Sequence, residues 1–215
     1  MIVTIVPQTL IFDFDGTLVD SEKVTTDLAR PILSRYLGRP ISDYEINGLK
    51  GKAWKNVFKD WFPGKAGQVY DEIVKNWNTR KTEILAYEGI SELLSELESK
   101  GIRMGIVSSR ETHLICEDLE RLSLRSFFET VVGQTDTTRH KPDPDPLLLA
   151  AAKMDVEREN CIYIGDQPWD IIASRAAGMY SGAALWGEGD LQVLSASSPD
   201  YIFHTPLEII HTLFS

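Results

Sequence analysis

The sequence predicts an α/β fold: a largely parallel, doubly wound sheet, interrupted once by a small helical insert. Two observations carry that expectation. Six short apolar runs alternate with amphipathic helical stretches. Between the first run and the second lies a long segment, residues 20–86, with helical patterns but no convincing strand. Alternation of this kind builds right-handed βαβ units, and such sheets bind ligands outside the carboxyl ends of their strands. At 215 residues and 43% hydrophobic, the chain can bury one good core and a smaller second one.

The first run, TLIFD at 9–13, reads as a buried strand ending in Asp13. FDFDGTLV also carries the Asp-Gly signal of a type I′ hairpin. Behind Asp20-Ser21, an N-cap pair, the apolar spacing instead lengthens through Val24, Leu28, Leu33, Tyr36 and Leu37. That spacing is helical, so strand, loop and helix are expected, with Pro31 kinking or dividing the helix. Further along, Trp54, Phe58, Trp61 and Phe62 recur at helical spacing, as do Tyr70, Ile73, Val74 and Trp77. These stripes are expected to form the insert's own core rather than a ligand box. With Gly89 near the return hinge, the expected division is 1–19 plus 87–215 for the sheet body and 20–86 for the insert.

Residues 90–100 put Ile90, Leu93, Leu94 and Leu97 on one helical face, with Gly101 as the stop. A strand over 102–108 precedes a helix over 111–122, and a strand over 130–133 precedes a helix over 145–154. The runs CIYIGD (161–166), SGAALW (181–186) and DYIFH (200–204) complete the sheet.

A net charge of −10 argues against nucleic acid or an anionic membrane as partner, and an anionic substrate then needs a local positive site. Cys116 and Cys161 lie far apart, without CxxC or histidine spacing, and read as free thiols in a reducing cytoplasm. The opening MIVTIV is too short for a signal segment, and no run approaches a membrane span. A cytoplasmic monomer or weak homodimer is expected.

The polar residues gather at the strand ends. Asp13 and Asp15 follow the first strand, Ser108-Ser109-Arg110 the second, and Asp166 and Asp170 the strand at 161–164, while HKPDPDP supplies Lys141. A like-charge pair at about 4 Å repels by roughly 4 kcal/mol at an effective dielectric near 20. One lysine cannot offset four carboxylates. A divalent cation can, and an all-oxygen site favours Mg²⁺.

In chain order, DFDGT (13–17), Ser108, Lys141 within KPDP and GDQPWD (165–170) resemble the four motifs of the haloacid dehalogenase-like hydrolases. The long gap between the first and second motifs is similar to the subgroup with an inserted helical cap. That subgroup holds phosphoglycolate phosphatases, pyrophosphatases, β-phosphoglucomutases and haloacid dehalogenases. The resemblance implies a Rossmann-like core with a cap, and an Mg²⁺-dependent phosphatase acting on a small phosphorylated metabolite, phosphoglycolate-like. Pyrophosphatase, sugar-phosphate phosphatase and mutase activities are the alternatives. Haloacid dehalogenases lack the second aspartate and the metal, so Asp15 argues for phosphate chemistry.

By the same resemblance, Asp13 is the nucleophile and Asp15 the acid and base, its carbonyl reaching the metal. Gly16 permits the tight turn at the phosphoryl oxygens. Ser108 and the next N–H, that of Ser109, bind those oxygens; Lys141 balances charge, and Asp166 and Asp170 complete the metal shell. Arg110 either contacts substrate or is a solvated arginine at a helix start. The stretch GLKGKAWKN (48–56) resembles the family's specificity loop, where Lys50 or Lys52 could reach an anionic leaving group. Trp54 stands where the mutase would place an arginine for its sugar phosphate, which weighs against that activity. A signalling receiver also joins acids, a hydroxyl and a lysine around Mg²⁺, but it is about half this length and has no insert.

Overall fold

The computed structural model describes residues 7–214. The chain opens with β1 (Thr9–Phe12) and β2 (Val19–Asp20), then four helices: α1 (Glu22–Leu37), α2 (Asp43–Asn47), α3 (Trp54–Trp61) and α4 (Ala66–Arg80). It continues through β3 (Leu85–Ala86), α5 (Ile90–Ser99), β4 (Arg103–Val107), α6 (Thr112–Arg121), β5 (Thr130–Val132) and α7 (Asp145–Met154). It closes with β6 (Cys161–Gly165), α8 (Pro168–Ala177), β7 (Tyr180–Ala184), α9 (Leu191–Ala196), β8 (Tyr201–Phe203) and α10 (Glu208–Leu213). The opening residues 1–6, expected above not to be a signal segment, lie outside the described part.

The six-stranded sheet has the order β5-β4-β1-β6-β7-β8, and every pairing is parallel. The order reverses at β1, which is where a doubly wound sheet opens its ligand crevice. Phe12 pairs with Ile106 on one side and Ile164 on the other, so β1, β4 and β6 end almost level. Successive residues of each strand face opposite sides. Leu10 and Phe12 enter one apolar cluster and Ile11 another, as Ile162 and Ile164 part from Cys161 and Tyr163. Burial on both faces is why these strands read as unbroken apolar runs.

Helices α1, α3 and α4 bury a third cluster, with Phe58, Phe62, Tyr70 and Ile73 at its centre. Trp77 departs from the expected stripe: it joins the main core beside Phe14 and Ile84. Helix α1 continues through Pro31, undivided, alongside α4, and stops at left-handed Gly38. Val19 pairs with Ala86 and Asp20 with Leu85, antiparallel, so the segment read as strandless begins and ends in a small ribbon. Two-residue strands carry no readable alternation; only their meeting defines them.

Cys116 and Cys161 are both free, Cys161 buried. Among the described residues no helix is long and apolar enough to cross a membrane.

Candidate active site

Asp13 extends the ladder of β1, its N–H donating to the Ile164 carbonyl at 2.8 Å, so its side chain is fixed at the crevice. The Phe14 N–H donates to Asp13 Oδ1 at 2.7 Å. The chain then turns tightly, the Phe14 carbonyl accepting the N–H groups of Leu18 (2.9 Å) and Val19 (3.1 Å). This is a turn and not the hairpin that Asp-Gly also suggests. Gly16 has φ +78°, and a Cβ there would lie 2.6 Å from Asp166 Oδ2. Both the conformation and the close approach require glycine. The Thr17 hydroxyl donates to Asp166 Oδ1 at 3.2 Å, tying the turn to the end of β6.

Lys141 uses all three protons. Its Nζ donates to Asp13 Oδ2 (2.9 Å), Asp170 Oδ1 (2.7 Å) and Tyr163 Oη (2.9 Å). The Tyr163 hydroxyl in turn donates to the Val107 carbonyl at 2.8 Å. The other oxygen of Asp170 accepts the Gln167 N–H at 2.9 Å, and the Gln167 side chain donates to Asp166 Oδ2 at 2.7 Å. Burial by itself lowers the lysine's pKa, but Asp13 and Asp170 hold it above the ordinary value. Burial raises the Asp13 carboxyl well above the usual range, further than Lys141 can bring it down. Asp166 is pushed up to about 7, by burial first and by the charge of Asp170 second.

Carboxylate oxygens of Asp13, Asp166 and Asp170 lie within 4.8 Å of one another. Three buried acids facing one ammonium leave excess negative charge, recorded in the raised carboxyls of Asp13 and Asp166. That donor set, hard and all-oxygen, fits Mg²⁺.

Asp15 stands apart from this trio. Its Oδ1 accepts the Ser21 hydroxyl at 2.6 Å and Arg110 Nη1 at 3.0 Å, and no hydrogen bond from a described residue reaches Oδ2. The side chain of Arg110 is 12% exposed, so the solvated-arginine expectation fails. Its guanidinium lies between Phe14 (5.2 Å) and Trp77 (4.5 Å) and also binds Asp118. The expectation of a single cation for four carboxylates is corrected with it: Arg110 partners Asp15, so the uncompensated charge sits on the other three. Ser108, 5% exposed, accepts the Arg110 N–H on its hydroxyl at 3.2 Å.

The loop at 50–52 reaches the same cleft. The Ser109 hydroxyl donates to the Gly51 carbonyl at 2.8 Å, and a Cβ on Gly51 would lie 2.9 Å from Gln167. Lys50 binds Glu188 at 2.6 Å, with Glu22 at 3.9 Å. Lys52 lies over the Trp169 ring at 5.1 Å and makes no ion pair with a described residue. Glu22 also lines the cleft, its carboxyl pushed up to about 7 by burial. Tyr163, Gln167, Thr17 and Glu22 escaped the sequence reading. Tyr163 left one signal, a hydroxyl inside a buried strand that needs a partner.

The haloacid dehalogenase-like hydrolase family pattern matches residues 10–184. The chain is 28% identical over 205 residues to pyrophosphatase PpaX of Oceanobacillus iheyensis, covering 94% of this chain and 95% of that protein. It is 31% identical over 187 residues to phosphoglycolate phosphatase of Xanthomonas campestris, covering 84% of each. Among solved structures, a haloacid dehalogenase-like family hydrolase from Streptococcus pneumoniae superposes with TM-score 0.80 at 26% identity, covering 95% of this chain and 97% of that one.

Proposed function

Because this chain belongs to the haloacid dehalogenase-like hydrolases and is a phosphatase, we propose that it hydrolyses a small phosphomonoester, with Mg²⁺, through a phosphoryl group carried on Asp13. The observation that carries this reading is the placement of Asp13 on Lys141, 2.9 Å away, at the reversal point of the sheet, with Asp15 beside it.

Asp13 attacks phosphorus as the bond to the leaving oxygen breaks, and Asp15 gives that oxygen a proton. Asp15 then takes a proton from water while the water oxygen attacks the aspartyl-phosphate. The bond between phosphorus and Asp13 breaks, and inorganic phosphate leaves. The hydroxyl of Ser108 and the N–H of Ser109 bind the phosphoryl oxygens, while Gly16 keeps the turn clear of side chains. Lys141 balances charge on nucleophile and phosphate. Asp13, Asp166, Asp170 and the Asp15 carbonyl would hold Mg²⁺, which supplies positive charge against the phosphoryl oxygens.

Residues 20–86 would act as a cap on a core formed by 1–19 and 87–215, turning at Gly89, in the cytoplasm. Relatives named phosphoglycolate phosphatase and pyrophosphatase make the ester phosphoglycolate and the anhydride pyrophosphate the first substrates to try. Lys52 is the lining cation available for an anionic leaving group.

The test uses Asp15→Asn with an aryl phosphate, whose leaving group needs little protonation. After Mg²⁺ and an acid quench, its intact mass should carry one phosphoryl group, on the peptide spanning residues 10–20. Asp13→Asn should carry none. If neither variant is ever labelled and Asp13→Asn still turns over, Asp13 is not the nucleophile.

A further inference from the structure

The cleft lined by Asp13 and Asp15 continues along a wall made by Trp54 of α3, Tyr70, Ile73, Val74 and Trp77 of α4, and Leu114 of α6. Tyr70, Ile73, Trp77 and Leu114 are between 4 and 7% exposed, so this wall is built of ordered core side chains. The Tyr70 hydroxyl, the polar tip of that wall, accepts the Gln134 amide at 3.0 Å.

Charge in the cleft is largely committed. Arg110 is bound to Asp15 and Asp118, Lys50 to Glu188, and Lys141 to Asp13 and Asp170. Lys52 is directed onto Trp169, at the start of α8, rather than onto α4. Glu22 adds a carboxylate to the same lining. An anionic leaving group lying along α4 would therefore lose its water beside cations that are already paired, Arg110 over Trp77 with Asp15 and Asp118, and Lys55 over Tyr70 with Glu111, in a cleft that Glu22 also lines. An apolar body would lose only water that the wall gains by excluding.

We propose that the leaving group is an uncharged alcohol with an apolar body, housed against Ile73, Val74 and Trp77, rather than a carboxylate or a second phosphate. This rests on the phosphomonoester reading and narrows it. It places the enzyme after a reaction that phosphorylates such an alcohol.

The test is kcat/KM of the wild-type enzyme, with Mg²⁺, on n-alkyl phosphates from methyl to hexyl and on their ω-carboxylated counterparts, beside phosphoglycolate and pyrophosphate. Leaving-oxygen basicity is nearly constant along the alkyl series, so the slope reports the wall. Each methylene should raise kcat/KM by about fourfold until the wall is covered. A terminal carboxylate should lower it on the order of 10²-fold. Val74→Lys, which places a cation on the wall, should raise the carboxylated-to-alkyl ratio at least tenfold. A flat series, or a preference for phosphoglycolate or pyrophosphate, overturns the inference while leaving phosphate-ester hydrolysis standing. No phosphate release from any ester, an aryl phosphate included, overturns both.

Discussion

Arg110 holds Asp15 by one oxygen only: Nη1 donates to Oδ1 at 3.0 Å, Ser21 donates to the same atom, and Oδ2 accepts no hydrogen bond from a described residue. Removing the guanidinium should release the carboxylate from its working position. Arg110→Ala is expected to lower kcat on the order of 10- to 100-fold, as a misplaced acid and base would. Stability should fall by about 3 kcal/mol, read by urea unfolding, because a buried pair loses one partner. Arg110→Lys should not rescue either quantity, since an ammonium cannot span Asp15 and Asp118 while stacking on Trp77. Full kcat in both variants would remove Arg110 as a positioning residue.

Lys141→Ala removes the one ammonium bonded to Asp13 and Asp170. Loss of this electrostatic stabiliser should cost kcat on the order of 10²–10³-fold. Without the ammonium that brings it down, the buried Asp13 carboxyl favours its proton further. The stability loss should therefore be larger at pH 8 than at pH 5, a difference that thermal unfolding at both values would reveal. Near-normal kcat with an intact fold would take Lys141 out of the chemistry.

The raised carboxyls predict how metal and pH interact. Asp166 holds its proton up to about pH 7 when folded, against an ordinary value of 3.8, and Asp13 is raised as well. Between these limits the folded protein binds more protons than the unfolded chain. The contribution of these acids to stability is therefore present at low pH and lost as pH rises toward and through 7. Mg²⁺ competes with those protons. In chelator, Tm should lose this contribution from pH 5 to 8. The gain in Tm on adding Mg²⁺ should grow over the same range. A Mg²⁺ shift equal at both ends would separate the metal from these two carboxylates.

Lys52, free of any ion pair with a described residue, should matter only to substrates that bring a charge. Lys52→Ala is expected to lower kcat/KM for phosphoglycolate about 10-fold more than for butyl phosphate, a difference on the scale of one solvent-accessible charged contact. Equal losses on both substrates would assign Lys52 to the loop's structure rather than to recognition.

Much of the site is legible before folding because its residues end strands. Asp13, Ser108 and Asp166 each follow an apolar run, and a parallel sheet sends the carboxyl ends of such runs to one edge. Lys141 and Asp170 come from a loop and a first helical turn, and their motifs place them. The ribbon of β2 and β3 and the uninterrupted course of α1 through Pro31 were not legible. The first is two residues per strand, and in the second the contacts along α4 outweigh one missing hydrogen bond.

The sequence by itself determined the order of elements, the largely parallel sheet and the acids at its edge, because apolar periodicity and strand ends are local properties of a chain. Tertiary structure decided which charges remain available. Arg110 finds Asp15 across 95 residues, and Lys50 finds Glu188 across 138. Trp77 leaves its own helical stripe to stack on that arginine. Ion pairing depends on distance in space and on loss of water, neither of which is written in spacing along the chain. A lysine or arginine read as a free cation can therefore arrive in the folded cleft already neutralised.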